Sequence, residues 1–138
     1  MDLSKGAATM AVQRTVLVVD LNPTDRAKTV RLLEAAGYLV TATGNFNEAK
    51  HLIAQATPDL LVTDLRLGSY NGLHLVLRSK SDHPGMASLV TSRFDDPVLQ
   101  AEAERQKAAF LIRPIADEAF LDAIAQTLGI VPAADATA

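Results

Sequence analysis

The chain has 138 residues, of which 49% are hydrophobic and 21% are charged, and its formal net charge is −3. This length suits one domain with a single core, and the acidic balance with scattered Lys and Arg argues against nucleic-acid binding. The absence of cysteine excludes disulfides, thiolate metal sites and thiol nucleophiles. Residues 1–14 lack the apolar core of a signal peptide and no run approaches the roughly 18 apolar residues of a membrane span, so we expect a cytoplasmic domain.

Composition divides the chain into three parts. Residues 1–13 are small and mixed, and the last residues are rich in Ala, Thr and Asp with little to bury. We therefore expect a flexible N-terminal extension over 1–13, one domain over 14–130 and a flexible tail over 131–138.

Short apolar runs alternate along the chain with segments of helical spacing. The runs are too short for helices and predict five strands. They are Thr15–Val19, Tyr38–Thr43, Leu60–Thr63, Ser88–Thr91 and Phe110–Ile112.

Capping residues mark the helices between these strands. Asn22, directly before a proline, predicts the start of the first helix, and Gly37 ends that helix as a left-handed cap. Asn45 with a glutamate three residues later predicts a capping box, and Asp96 before a proline opens the fourth helix. The third and fifth helices are expected over Leu73–Lys80 and Asp117–Leu128. The residues expected to face inward are Ala27, Val30, Leu33 and Ala36 in the first helix, Ala49, Leu52, Ile53 and Ala56 in the second, and Leu121, Ile124 and Leu128 in the fifth.

Alternation of five strands with five helices predicts the α/β class. We expect a single doubly wound, flavodoxin-like, five-stranded parallel sheet of order 2-1-3-4-5, with helices on both faces. The strands are largely apolar rather than strictly alternating, which disfavours an antiparallel sandwich. In such folds ligands bind beyond the carboxyl ends of the strands, where the strand order reverses.

Chemically active side chains follow or end four of the predicted strands. Asp20 and Asp64 follow the first and third, Thr91 ends the fourth, and Arg113 follows the fifth. The predicted strand order brings them to one edge of the sheet. Two close carboxylates repel each other, so a hard cation such as Mg²⁺ normally completes such a site. A phosphoryl group on one carboxylate would be held by the metal, the hydroxyl and the basic side chain.

Four segments make residues 14–129 resemble the receiver domain of two-component response regulators. The segments are VLVVDLNP (16–23), VTDLRLGSYNG (62–72), LVTS (89–92) and FLIRP (110–114). The second is the most specific, because the family has its phosphorylated Asp eight residues before a Gly, and Asp64 precedes Gly72 by that spacing.

The resemblance implies a role for each matched position. The phosphoacceptor is Asp64, and the metal ligands are Asp20, Asp64 and the backbone carbonyl of Arg66. The phosphoryl group contacts the switch hydroxyl of Thr91 and the guanidinium of Arg113, and Phe110 is the aromatic switch position.

The resemblance also implies partners and a cofactor. The phosphoryl donor is a sensor histidine kinase or a phosphotransfer protein, and the output protein binds the face of the fourth helix, fifth strand and fifth helix. Mg²⁺ is the expected cofactor. The domain is expected to be a phosphoacceptor and not an enzyme, with at most self-phosphorylation from small donors and autodephosphorylation. Neither nucleic acid nor membrane is expected as a partner, and a homodimer is left open.

Three positions depart from the family's pattern. Leu21 stands where the family has a second acid that touches Mg²⁺, so metal binding is expected to be weak. Arg113 replaces a Lys, which keeps the charge but presents a planar fork. Gly68 replaces a Pro four residues after the phosphoacceptor and loosens that loop. These departures leave open whether phosphorylation is slow or lost.

Each site residue has a plain structural alternative. Asp20 alternatively polarises the first helix, and Asp64 is alternatively an ordinary loop acid. Thr91 is alternatively a hydroxyl satisfied by the backbone, Arg113 only an ion-pair partner of either acid, and Phe110 a core residue. No metal spacing relates the three histidines, which are expected at the surface. They are His51, His74 and His83.

Two alternatives concern the whole domain. The first is a pseudo-receiver, a protein-interaction module that kept the fold and lost phosphoryl chemistry, as Leu21 and Arg113 indicate. The second is a nucleotide- or flavin-binding enzyme, which needs a phosphate-cradling loop after the first strand. The loop here has no glycine, and Asp20 would repel a phosphate, so this alternative is disfavoured.

Overall fold

Five parallel strands form the central sheet of the computed structural model, which describes residues 13–130. The strands are β1 (Thr15–Val19), β2 (Leu39–Thr43), β3 (Leu60–Asp64), β4 (Ala87–Ser92) and β5 (Ala109–Ile112). Their order is β2-β1-β3-β4-β5, and every neighbouring pair is parallel. The predicted doubly wound topology is therefore confirmed. The expectations for residues 1–12 and 131–138 lie outside the described residues.

Five helices connect or follow these strands. They are α1 (Pro23–Ala35), α2 (Phe46–Gln55), α3 (Gly72–Asp82), α4 (Pro97–Arg105) and α5 (Asp117–Leu128). The predicted cap of α1 is confirmed, since the Asn22 side chain accepts from two backbone N–H groups of the first turn. Asp96 caps α4 in the same way. Gly37, just past α1, has a φ of +98°, which glycine adopts without strain.

The two faces of the sheet carry separate apolar clusters. Helices α2, α3 and α4 cover one face, where Leu17 and Val19 of β1 are buried. Helices α1 and α5 cover the other face, where Val16 and Val18 are buried. Successive β1 residues thus point to opposite faces and both are buried, which explains why the strands are continuously apolar in the sequence.

The inward face of α1 differs from the prediction. Thr29 and Leu33 are buried, whereas Ala27 and Ala36 are exposed. A spacing of three residues drifts by about 60° per step on an α-helix, so residues nine positions apart lie on opposite sides. Ala27 and Ala36 therefore cannot both face the sheet. Ala56 is also exposed, because it lies just after α2 ends.

Only half of the predicted capping box forms at α2. The Asn45 side chain accepts from the Glu48 N–H at 2.8 Å, as expected. The Glu48 carboxylate, however, accepts from the Thr43 hydroxyl. The Asn45 N–H donates to Thr43 Oγ1 at 3.1 Å instead. A threonine at the end of β2 thus takes the place that the box would give to Glu48.

A short antiparallel hairpin, not predicted from the sequence, lies between β3 and α3. Arg66–Leu67 pairs with Tyr70–Asn71. Gly68 in its turn has a φ of +68°, which the ring of a proline forbids. The chain between β3 and α3 is therefore ordered by backbone pairing around a glycine. None of the helices in the described part of the chain is long and apolar enough to cross a membrane.

Candidate functional site

The carboxyl edge of the sheet brings together the four polar residues that the sequence singled out. Asp20 directly follows β1, Asp64 ends β3, Thr91 lies near the end of β4, and Arg113 directly follows β5. The strand order makes β1, β3, β4 and β5 successive neighbours, so the four side chains share one edge. Direct contacts join them in two pairs, Thr91 with Asp64 and Arg113 with Asp20.

Asp20 is a buried acid whose carboxylate is only partly compensated. It is 4% exposed, and its Oδ1 accepts from the Asn22 N–H at 3.0 Å. Its own carbonyl accepts from Arg26 Nη1 at 2.7 Å. Burial raises the pKa of Asp20, and the charge of Asp64 raises it further, against the lowering effects of the Asn22 N–H and Arg113. The cap of α1 is Asn22 and not Asp20.

Thr91 and Asp64 form a hydrogen-bonded pair across neighbouring strands. Thr91 is fully buried, and its Oγ1 donates to Asp64 Oδ1 at 3.1 Å. The backbones are tied at the same point, where the Leu65 N–H donates to the Thr91 carbonyl at 2.8 Å. The hydroxyl is thus satisfied by the carboxylate and not by the backbone. A side chain at Gly72 would collide with the Asp64 carbonyl, so the close approach of α3 to β3 requires glycine there.

Arg113 places a fixed positive charge beside Asp20. Its side chain is 18% exposed, and Nη2 lies 3.7 Å from Asp20 Oδ2. This distance is an ion pair but too long for a hydrogen bond. The Arg113 N–H donates to the Ser92 carbonyl at 2.7 Å, which ties the chain after β5 to β4. Of the two acids, Asp20 is therefore the one that forms an ion pair with Arg113.

The two acids at the carboxyl edge suit a divalent cation in part. Mg²⁺ commonly uses one or two carboxylates together with waters, and Asp20 and Asp64 are carboxylates of this kind. Burial is the main cause of the raised pKa of Asp20, and the charge of Asp64 adds to it; a cation between the two acids would relieve their repulsion. Among the described residues, however, no cluster of three His, Asp or Glu side chains suits a metal.

Leu21 lies beside these donors and supplies none. It is 48% exposed, and its Cδ1 lies 3.8 Å from the point where a Cβ on Gly68 would stand. The side chain thus reaches from the loop after β1 to the hairpin after β3. The resemblance assigns a second acid to position 21. The apolar side chain of Leu21 stands there instead and lies against the hairpin that follows Asp64, the candidate phosphoacceptor.

The sequence did not reveal the contacts that fix the loop between β4 and α4. Arg93 forms an ion pair with Asp25 of α1, and the guanidinium of Arg66 lies 5.0 Å from the centre of the Phe94 ring. Each pair joins residues that are far apart in the chain. No periodicity or local motif marks such pairs, because they form only when the strands are ordered.

The surroundings of Phe110 and of the three histidines are those of ordinary core and surface residues. Phe110 is partly buried and packs against the apolar cluster under α2, α3 and α4, as its core alternative expects. His51 and His74 are exposed, while His83 Nδ1 lies 3.0 Å from the Thr57 hydroxyl.

The fold and the polar edge define a doubly wound α/β domain of the receiver type. A family model described as the response regulator receiver domain matches residues 16–125, so the chain belongs to this family. It is a receiver domain of two-component response regulators. Receiver domains accept phosphoryl groups from histidine kinases and regulate output domains, and they are phosphoacceptor switches and generally not enzymes.

Known proteins agree with this assignment. The chain is 33% identical over 93 residues to the DNA-binding transcriptional regulator NtrC of Salmonella typhimurium, covering 67% of this chain and 20% of that protein. It thus spans about a fifth of the length of this relative. A CheY-like receiver domain from Methanospirillum hungatei has the same fold, with a TM-score of 0.80 at 21% identity over 85% of this chain and 94% of that one.

One solved neighbour carries the modification and a cation. A response regulator from Burkholderia pseudomallei is 26% identical, with a TM-score of 0.76 over 85% of this chain and 69% of that one. That structure contains a phosphorylated aspartic acid, a calcium ion and citrate.

Proposed function

We propose that Asp64 accepts a phosphoryl group from a sensor histidine kinase or phosphotransfer protein in a cytoplasmic two-component phosphorelay. The observation that carries this proposal is the Thr91 hydroxyl, buried and hydrogen-bonded at 3.1 Å to Asp64 Oδ1. After transfer, this hydroxyl turns its proton to a phosphoryl oxygen. The guanidinium of Arg113 stabilises the negative charge of the group.

Asp20, Asp64 and the Arg66 carbonyl are the groups that would hold a weakly bound Mg²⁺. When bound, the ion would neutralise part of the negative charge of the incoming phosphoryl group. Leu21 makes this metal site atypical, because it removes one carboxylate from the set that the family normally offers. Arg113 also weakens the site, since its charge lies 3.7 Å from an oxygen of Asp20.

Phosphorylation is read at the face formed by α4, β5 and α5. Thr91 lies on β4 beside β5, and Phe110 lies on β5, so movement of Thr91 is transmitted across neighbouring strands. The face presents apolar side chains, since Val98 of α4 is 73% exposed and Ile112 of β5 is 39% exposed. An output protein binds there. The domain's own chemistry is limited to self-phosphorylation from small donors and autodephosphorylation.

Intact-mass measurement tests the phosphoacceptor. Incubation with acetyl phosphate and Mg²⁺ should add one phosphoryl group to the wild type and none to Asp64→Asn. Asp82→Asn, an exposed acid at the end of α3, is the matched control and should be modified like the wild type. An adduct that persists in Asp64→Asn would remove Asp64 from this role.

Chemical shifts test the switch. Beryllofluoride with Mg²⁺ should shift amides over residues 93–121 as well as those next to Asp64, because the phosphoryl mimic interacts differently with two states of the domain. Thr91→Val keeps the side-chain shape and removes the hydroxyl, so it should confine the shifts to the pocket. Shifts confined to the pocket in the wild type would contradict a family-type switch.

A pseudo-receiver is the second candidate, and two observations favour it. Leu21 lies against the hairpin after β3, and Arg113 already contacts Asp20. Two results together would establish this alternative. The wild type would give no adduct at any Mg²⁺ concentration, and the Leu21→Asp or Arg113→Lys variant would be modified.

A further inference from the structure

The backbone of Asp20 is held on both sides where the chain leaves β1. Its N–H donates to the Thr43 carbonyl of β2 at 3.1 Å, and its carbonyl accepts from Arg26 Nη1 of α1 at 2.7 Å. Only Leu21 and Asn22 lie between Asp20 and the start of α1, and they belong to no strand or helix. At the Asp20 carbonyl, therefore, a side chain takes over from the backbone hydrogen bonds of the sheet.

Arg26 gives its guanidinium to this carbonyl and not to a carboxylate. It is partly buried and forms no ion pair with an acid among residues 13–130. A partly buried carbonyl needs a donor, and a hydrogen bond from a charged donor is stronger than one from a neutral group. The Asp20 carboxylate has other partners, the Asn22 N–H and the guanidinium of Arg113. Arg26 therefore acts on the backbone of Asp20.

Gly44 provides the space for this guanidinium. A Cβ on Gly44 would stand 2.5 Å from Arg26 Nη1 and 3.3 Å from the Asp20 carbonyl oxygen. Both distances are shorter than ordinary van der Waals contacts. The end of the Arg26 side chain thus lies between the loop after β2 and the loop after β1, in a place that a larger residue at position 44 would occupy.

The hydrogen bond from Arg26 also fixes the Asp20 carboxylate relative to Asn22. The peptide group between Asp20 and Leu21 is planar, so its carbonyl and its N–H turn together. The Asn22 N–H, one peptide further along, donates to Asp20 Oδ1 at 3.0 Å. If the first peptide turned, the Asn22 N–H would move away from the carboxylate. Arg26 holds that peptide in the orientation that keeps the hydrogen bond.

We infer that Arg26 is a positioning residue for Asp20, and that glycine is required at position 44 as the space in which its guanidinium lies. By holding the peptide after Asp20, Arg26 keeps the carboxylate in place as one of the two acids of the candidate metal site. The inference rests on the proposed function for the role of Asp20 towards Mg²⁺, whereas the positioning itself does not depend on metal.

Two variants remove the contact in different ways. Arg26→Gln shortens the side chain and removes the guanidinium. Gly44→Ala keeps Arg26 but places a methyl group against Nη1, and it adds no backbone strain because the φ of Gly44 is outside the left-handed region. In metal-free protein each variant should shift the Asn22 amide proton upfield and speed its exchange with solvent, since its hydrogen bond to Asp20 is weakened. The Thr24 amide, which donates to Asn22 Oδ1 at the cap of α1, should stay unchanged.

Mg²⁺ titrations followed by NMR separate positioning from a purely structural role. Changes to groups that support metal ligands commonly alter affinity about 10–100-fold, so Arg26→Gln and Gly44→Ala should each weaken Mg²⁺ binding by about 10-fold or more. Arg26→Lys keeps a cationic donor and should bind Mg²⁺ more tightly than Arg26→Gln. Arg31→Gln, which changes an exposed arginine of α1, is the matched control and should bind like the wild type.

An Asn22 amide that is unchanged in both Arg26→Gln and Gly44→Ala would overturn the inference. An Arg26→Gln variant with a lower thermal midpoint but the Mg²⁺ affinity of the wild type would also overturn it, because the role of Arg26 would then be structural only. A wild type that binds no Mg²⁺ would contradict the proposed function instead, and the Asn22 amide in metal-free protein would still decide whether Arg26 positions Asp20.

Discussion

Replacement of Leu21 by Asp tests the departure that most affects the candidate metal site. The change adds a carboxylate beside Asp20 and Asp64. Since Leu21 is 48% exposed, truncating it loses only part of the roughly 1.5–3 kcal/mol that full burial of a leucine contributes. The fold should therefore survive, and the measured effect should come from charge and ligand number.

The expected gain follows from the number of oxygen ligands. Changes to groups that only support metal ligands commonly alter affinity about 10–100-fold, so an added direct carboxylate should tighten Mg²⁺ binding by about 10-fold or more. Phosphorylation of Asp64 should become faster. Without metal the variant should be less stable by about 1–2 kcal/mol, because a third carboxylate joins two acids that already repel each other.

The assay is a Mg²⁺ titration of the wild type and the variant, followed by NMR. Tyrosine fluorescence is a second readout, because the chain has no Trp and Tyr70, in the hairpin next to the site, stacks on Phe46 of α2. Leu77→Asp is the matched control: Leu77 is 51% exposed on α3, and its replacement should leave Mg²⁺ affinity unchanged.

Equal Mg²⁺ affinities in the wild type and Leu21→Asp would refute this reasoning. Either Asp20 or Asn22 would then already supply the missing oxygen, or Arg113 would occupy the place of the metal. A gain that Leu77→Asp reproduces would point to overall charge instead of a ligand at position 21.

Three further predictions concern stability. Burial raises the pKa of Asp20 above its ordinary value of 3.8. Above pH 3.8 the folded state therefore retains a proton that the unfolded state releases. The free energy of unfolding thus falls as the pH rises from 3.8 through the raised pKa. In EDTA, Asp20→Asn should therefore be more stable than the wild type at pH 7 and lose this advantage as the pH falls below 3.8, as urea unfolding at several pH values will show. Leu33→Ala should lower the free energy of unfolding by about 2–5 kcal/mol, since Leu33 is fully buried, whereas Leu39→Ala on the edge strand should cost much less. Comparable losses in these two variants would contradict the assignment of the core. Asn22→Ala should cost about 1 kcal/mol through the lost cap of α1, and an unchanged thermal midpoint would show that the cap contributes nothing.

The sequence alone was sufficient for the architecture because each element is specified locally. Apolar runs such as Leu60–Thr63 and caps such as Asn22 and Asp96 define strand and helix positions within a residue or two. Alternation of the two element types then leaves few topologies, since parallel crossovers are right-handed. For the same reason the sequence alone predicts that Asp20 and Asp64 lie at the carboxyl edge of the sheet.

The sequence did not predict which face of a helix is buried or which side chains hydrogen-bond to each other. How α1 docks on the sheet decides which of its faces is buried, and the buried face contains Thr29 and not Ala27. The threonine that replaces half of the capping box at α2 comes from the end of β2. Such choices are settled by packing and hydrogen-bond competition across elements, which local periodicity does not encode.

The positions of these residues at predicted strand ends, together with the predicted strand order, therefore determined that two acids, a hydroxyl and a cation would meet at the carboxyl edge of a parallel sheet. Only the tertiary structure decided how they pair: Thr91 donates to Asp64, and Arg113 lies 3.7 Å from Asp20 with its Nε left without a partner among the described residues. The physical reason is distance in the chain. Hydrogen bonds and close ion pairs require their atoms to lie within a few ångströms, so the pairing of residues many positions apart is fixed only when the strands that carry them are ordered side by side.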